Sequence, residues 1–494
     1  MATVKPMSPN AQPSIQPVSF RLTVVPRILL MIIGLSFLSP GGGKAYAESS
    51  GAPSAPSAAA ATTTTPSPYL EEARRILRES PLIDGHHDFP WRVRQRAGRN
   101  LDVLNLAMDT KAIAPILTTD LARLRAGCAG GVFWAAYVPP ELPGPEAVQA
   151  TLEQVDLIHR LTQRHADSLA LALAPGDIER IRASGRIASM IGVEGGHSIN
   201  NSLPVMRMLY EMGARYLTLT HSKTIDWCDS ATDVKRHGGL TPFGREVIRE
   251  MNRMGMLVDL AHVSHDAIRQ ALDVSEAPVI ISHSGAYSIC RHERDVPDDI
   301  LRRIPANGGV VMAPFLPMYI SEEVRAWEDE QAAEERRLKI HHDQPVSDEA
   351  RAALEEWRKA HPRPRATLAQ VADHIDAIRR AAGIDHVGIG SDFDGFFTPV
   401  VGLEDVSCYP ALMAELLRRG YSREDVEKVA GGNLLRVWRK AGEVAQRLKS
   451  ERPASDARIE ALDGLSTPTP SSPAPPAPLN PLAAATPAPQ GNSQ

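Results

Sequence analysis

The stretch Thr241–His262, "TPFGREVIREMNRMGMLVDLAH", carries one complete step from helix to strand. Val247, Ile248, Met251 and Met254 recur at helical spacing and fall on one face, which predicts an amphipathic helix. Gly255 stops it, because glycine tolerates the left-handed conformation that ends a helix. The apolar run Met256–Leu260 then predicts a strand, and His262 follows it directly. A side chain able to bind a metal therefore lands where a strand ends.

The same alternation extends in both directions. Short apolar runs occur at Leu82–Asp84, Gly131–Tyr137, Ile187–Val193, Tyr216–Thr220, Pro278–Ser282, Gly309–Ala313 and His386–Ser391. Segments of helical period such as "PEAVQATLEQVDLIHRLTQ" and "ATLAQVADHIDAIRRAAG" lie between them. Eight strand–helix units predict an α/β fold, a closed (β/α)8 barrel of the TIM type, with the extra length in loop insertions. One insertion is visible at 321–365, between the seventh and eighth strands, where Glu, Arg, Lys and Asp crowd a solvated helical excursion. His341 and His342 lie within it and read as surface histidines, since nothing nearby completes a site.

Composition removes several functional classes. The chain has 494 residues, 43% of them hydrophobic, and a formal charge of −5, so no basic footprint points to nucleic acid. Arg21 and Arg27 precede the apolar run Ile28–Leu38, and small residues stand at Ala45 and Ala47. Residues 1–47 therefore read as a signal peptide and predict an exported, periplasmic or secreted protein. No stable membrane anchor is expected: the run is short for a bilayer, and no cysteine follows the cleavage point. Residues 48–68 and the Pro/Ala-rich 451–494 read as a disordered linker and tail around a catalytic domain at 69–450. The four cysteines, Cys128, Cys228, Cys290 and Cys408, form no CxxC pair, and no disulfide is assigned.

In a parallel barrel the strands deliver their C-terminal residues to one face. The expected strands end in His86, His87 and Asp88, in Glu194, in His221, in His262, in His283, and in Asp392 and Asp394. Six of eight strands ending in His, Asp or Glu point to a metal site. Alternation along an extended segment sends His86 and Asp88 together into the barrel mouth and His87 away from it. Imidazoles and carboxylates without thiolates suit zinc, and ligand type alone also admits manganese, cobalt or iron. Three histidines and two carboxylates exceed one four-coordinate ion with an open position but suit two ions sharing a carboxylate, with Glu194 the natural bridge.

The motifs "DGHHDFPW", "TDLARLRAG", "GVEGGHSI", "YLTLTHS", "SHSGAYSICRHERDVPDDIL", "GIGSDFDG" and "GNLLRVW" closely resemble the membrane (renal) dipeptidase family of zinc hydrolases, peptidase family M19. The resemblance implies an amidohydrolase-type barrel with two zinc ions per chain. It implies His86, Asp88 and the bridging Glu194 around one ion, and Glu194, His262 and His283 around the other. It also makes His221 a contact to the scissile carbonyl, Arg294 a clamp for the substrate carboxylate, Asp392 the acid near the substrate amine, and Asp394 structural. A dipeptide substrate and a homodimer follow as further expectations. The chain departs from the mammalian members in lacking their anchor tail and most of the matching cysteines and in carrying the charged insertion.

The mechanism expected from these parts is attack of hydroxide on a polarised peptide carbonyl, with Asp392 moving the proton and His221 stabilising the oxyanion. Arg294 has a simpler alternative, pairing with Asp295, Asp298 or Asp299 in its own loop. Two other functions use the same barrel: a lactam or lactone hydrolase, or an inactive metal-binding envelope protein. A substrate panel separates all three.

Overall fold

The computed structural model describes residues 67–113, 115–340 and 346–464. The expected signal peptide, His341 and His342, and the Pro-rich end after 464 lie outside the described residues.

Among the described residues nine strands run in chain order: β1 (Leu82–His87), β2 (Ala129–Tyr137), β3 (Leu169–Leu171), β4 (Ile187–Glu194), β5 (Ala214–Thr218), β6 (Leu257–Asp259), β7 (Ile280–Ile281), β8 (Val310–Ala313) and β9 (Val387–Ile389). Eight of them pair in parallel in the order β1-β2-β4-β5-β6-β7-β8-β9, and helices fill the connections, as the alternation predicts for a (β/α)8 barrel. The short β3, absent from the sequence reading, adds to the lower half of β4 through Leu169↔Ile187. The ring nearly closes where the segment after β9 meets the end of β1. There His87 bridges Phe393, Asp88 N donates to Phe393 O at 2.9 Å, and Asp392 N donates to His86 O at 3.1 Å.

Two apolar layers hold the barrel. The outer one lies between strands and helices; from the helix Pro242–Met254 it takes Val247, Ile248, Met251 and Met254, the residues whose spacing predicts that helix. The inner one stacks Ile83, Phe133, Met190, Leu257 and Met312 in the lumen. The helix Asn433–Glu451 seals the end where the strands begin, inserting Leu434, Val437 and Trp438 into the inner layer. Asn433 Nδ2 donates at 2.8 Å to the carbonyls of Ile384 and Val387 at the start of β9, which fixes that seal.

The insertion forms the helices Glu322–Arg337 and Asp348–Ala360 between β8 and β9, and among their described residues it buries only Val324 and Leu354. The expected start of the tail at 451 is corrected. Arg452–Gly464 packs back on the barrel, because Asp463 accepts from Thr241 Oγ1 at 2.6 Å and Phe243 N at 2.9 Å, capping the helix Pro242–Met254. Among the described residues no helix is long and apolar enough to cross a membrane.

A buried carboxylate ties the seam. Asp84 Oδ1 accepts from Ser391 N at 2.8 Å and His86 N at 3.2 Å, and Oδ2 accepts from Ser391 Oγ and from Tyr409 OH at 2.5 Å. Tyr409→Phe should destabilise the protein by about 1.5–3 kcal/mol, since it strips one donor from a buried charge. An unchanged urea midpoint would show that the tyrosine hydroxyl contributes nothing to the seam.

Candidate metal centre

The metal-capable side chains converge at the C-terminal ends of the strands. Glu194 closes β4, and its Oε1 lies 3.1 Å from His262 Nε2, 3.5 Å from His86 Nε2, 3.7 Å from His283 Nε2 and 3.8 Å from His221 Nε2. Among the described residues, every ion-pair partner of this buried carboxylate is a histidine. His262 Nε2 and His283 Nε2 stand 2.9 Å apart, close to the about 3.3 Å edge of a tetrahedron with ordinary zinc–nitrogen bonds. Three groups lie close enough to hold a cation: His86, Glu194 and His283; Glu194, His221 and His262; and His86, Asp88 and Asp392. Geometry therefore adds His221 and Asp392 to the possible ligands.

Two orphaned atoms test the fit of a metal. His86 Nε2 and Asp88 Oδ1 are buried and have no hydrogen-bond partner. Such atoms cost stability unless something satisfies them, and a divalent cation on the Nε2 side suits both. Burial, reinforced by the nearby Arg294 charge, holds His262 and His283 well below the usual imidazole range, so both present neutral lone pairs. Burial opposes a charge on His86 too, yet Tyr216 and Glu194 raise its pKa well above the usual value. The surroundings of this ring call for positive charge.

A second set of contacts sets the rings. His86 Nδ1 meets Tyr216 OH at 2.8 Å, and His283 Nδ1 meets Ser282 Oγ at 2.8 Å. Ser282 Oγ in turn donates to Asp259 Oδ2 at 2.7 Å, and Thr218 Oγ1 donates to the same oxygen at 2.6 Å. Partners on Nδ1 leave Nε2 free to face a metal. Sequence reasoning missed Tyr216 and Asp259. The only signal was a polar tip within "YLTLT" and an acid within "MLVDL", both inside apolar strands. Tyr216 fits because β4 has no side chain at Gly192, where a Cβ would lie 1.9 Å from the tyrosine ring.

His87 faces the other way. Its Nε2 meets Thr119 Oγ1 at 2.7 Å, and its ring sits edge-on to Trp134 with centroids 5.1 Å apart. Asp394 also points elsewhere, accepting from Thr118 N at 2.7 Å. Asp392 and His262 both adopt positive φ, 61° and 68°, a conformation that costs non-glycine residues energy and recurs at functional sites. Gly395 allows the two acids to sit close, since a Cβ there would lie 2.3 Å from Asp392 Oδ1 and 2.6 Å from Asp88 Oδ2. Burial and the adjacent Asp88 push the Asp392 carboxyl well above its ordinary range.

Arg294 is buried beside the cluster. Its Nη1 donates to Ser284 Oγ at 3.0 Å and Nη2 to the His283 carbonyl at 3.2 Å, while Nε has no partner. The acids of its own loop are engaged elsewhere: Asp299 with Arg269 at 2.8 Å, Asp298 with Arg302 at 3.5 Å, and Asp295 with Gly285 N at 2.6 Å. Among the described residues no carboxylate pairs with Arg294, so the simple loop-pairing alternative is absent. Arg294, His221, His262, Glu194, Asp88 and Asp392 line one cavity of about 270 Å³, narrowed by Trp91, Tyr137 and Tyr319.

The profile of the membrane dipeptidases, peptidase family M19, matches residues 70–452. The chain belongs to this family. It is 39% identical over 391 residues to dipeptidase verJ of Clonostachys rogersoniana, covering 77% of this chain and 89% of that protein. The probable dipeptidase PvdM of Pseudomonas aeruginosa superposes with a TM-score of 0.65 at 22% identity, over 77% of this chain and all of that one. A metallopeptidase of Rhodobacter sphaeroides, solved with a phosphinate mimic of L-Ala-D-Ala, superposes with a TM-score of 0.59 at 23% identity, over 73% and 99%. The protein is thus an M19 metallo-dipeptidase, a hydrolase of peptide bonds.

For this dipeptidase, Tyr216→Phe should weaken metal retention about 10–100-fold, because His86 loses the partner that orients it. Competition with a chelator measures this. Undiminished retention would show that packing alone orients the ring.

Proposed function

We propose that this metallo-dipeptidase cleaves dipeptides with two zinc ions per chain, one held by His86, Asp88 and Glu194 and the other by Glu194, His262 and His283. Ions bound there would polarise the peptide carbonyl and provide hydroxide near neutral pH. The chain's own groups do the rest. His221, on the edge of the cluster and partly exposed, stabilises the oxyanion as it forms. Asp392 takes the nucleophile's proton and passes it to the leaving amine, a role suited to a carboxyl whose pKa burial has raised. The N-terminal sequence supports export to the periplasm or medium as part of the same reading.

One observation carries the choice of substrate: a buried guanidinium without an acid partner shares a small cavity with a pair of acids. A dipeptide carries a free carboxylate and a free ammonium one peptide bond apart, and each finds its complement here. The cavity of about 270 Å³ lies just below the ~300–1,000 Å³ of pockets for drug-sized ligands, which favours a short substrate over a protein chain.

Two substitutions test this. Arg294→Lys keeps the charge and loses the planar fork, so kcat/KM should fall on the order of 10²-fold for free dipeptides and far less for their C-terminal amides. Equal losses on both would confine Arg294 to supporting its loop. Asp392→Asn is nearly isosteric and should retain about two ions per chain while losing on the order of 10²–10⁴ in turnover. Lost metal would make Asp392 a ligand; normal turnover with weak binding of a phosphinate dipeptide mimic would make it only an ammonium anchor.

A further inference from the structure

A second cavity, of about 620 Å³, opens where the charged insertion faces the loop after β9. Its walls include Trp327, Gln331 and Arg358 from the insertion helices, with Arg363, Phe397 and Thr398. Both sides of this cavity lie close along the chain to residues that line the metal-centre cavity. Gly395, which backs Asp88 and Asp392, is two positions before Phe397, and Tyr319 stands just before the helix that carries Trp327.

The charges in this wall are already satisfied. Arg363 pairs with Glu328 at 2.8 Å, and Arg358 Nε donates to Gln331 Oε1 at 3.0 Å. No unpaired charge is left to attract an ion, so the rings are the recognition elements. Trp327 is pinned by its indole N–H to the carbonyl of His361 at 2.7 Å and leans on Trp357, centroids 5.7 Å apart. Phe397 is 59% exposed, an unusual position for a large apolar side chain, and the Arg92 guanidinium sits 4.2 Å from its ring centre. Arg92 is buried and donates to the carbonyl of Asp394 at 2.5 Å, which locks Phe397 to the loop that carries Asp392. Two fixed aromatic walls with little core of their own form a platform for a third ring.

We propose that this cavity is a subsite for the side chain of the substrate's amino-terminal residue, and that it favours an aromatic one. The assignment rests on the dipeptide reading above, in which the ammonium lies at Asp88 and Asp392. Their loop reaches Phe397 within three positions of Asp394, and the Arg92 guanidinium against Phe397 follows Trp91 of the metal-centre cavity, so the Phe397 wall of this pocket lies near the ammonium position.

The test compares kcat/KM for Phe-Ala, Ala-Phe and Ala-Ala in the zinc-loaded full chain and its Trp327→Ala, Trp327→Phe and Phe397→Ala variants. The ratio of Phe-Ala to Ala-Ala should fall roughly tenfold in both alanine variants and largely recover in Trp327→Phe, while the ratio of Ala-Phe to Ala-Ala holds. A Phe-Ala ratio unchanged by either alanine variant would overturn the subsite and leave the dipeptidase reading intact. A loss in the Ala-Phe ratio instead would overturn the assignment to the amino-terminal residue. A native protein that fails to cleave Ala-Ala would sink the dipeptide reading and this subsite together.

Discussion

The structure depends on one burial problem. Glu194 places a carboxylate at the barrel mouth, 3% exposed, with four imidazoles and, among the described residues, neither lysine nor arginine within pairing distance. A buried charge of this kind is costly unless positive charge compensates it. Three of those imidazoles, His221, His262 and His283, have depressed pKa values and do not supply that charge. They supply lone pairs, and a cation held between those lone pairs and the carboxylate satisfies both sides at once.

The rest of the fold holds that arrangement in place. Parallel strands deliver His86, Glu194, His262 and His283 to one rim, but a rim alone does not aim a ring. Aim comes from the layer beneath: Tyr216 on His86, Ser282 on His283, and Asp259 joining β5, β6 and β7 through Thr218 and Ser282. Asp84 does the same work across the seam between β1 and β9. Buried as they are, Asp84 and Asp259 are tolerable because each collects several donors. The rim carries strain of its own, since His262 and Asp392 take left-handed backbone conformations that a scaffold this well packed can enforce.

Above the rim, both signs of charge meet in one cavity. Arg294 and the Asp88–Asp392 pair line the same small cavity, together with Glu194, His221 and His262. The charged insertion contributes Trp327 to the wall of the second cavity. Its helices bury almost nothing of their own, so their contribution lies in the surface they present.

The sequence by itself determined the barrel and the list of rim residues. Helical and strand periods are local properties, and in "TPFGREVIREMNRMGMLVDLAH" the helix face, its glycine stop, the strand and the histidine follow within one stretch. Alternation likewise separated His86 from His87, whose ring turns to Thr119 and Trp134. What only the tertiary structure decided depends on residues far apart in the chain. No local pattern shows that Tyr216 reaches His86, that Gly192 makes room for it, or that Trp438 seals the lumen. Nor could periodicity extend the folded region past 451, because Asp463 is ordered by capping a helix more than two hundred positions earlier. Arg294 had acids on every side in sequence, and only the fold, by giving those acids other partners, left its charge facing the cavity.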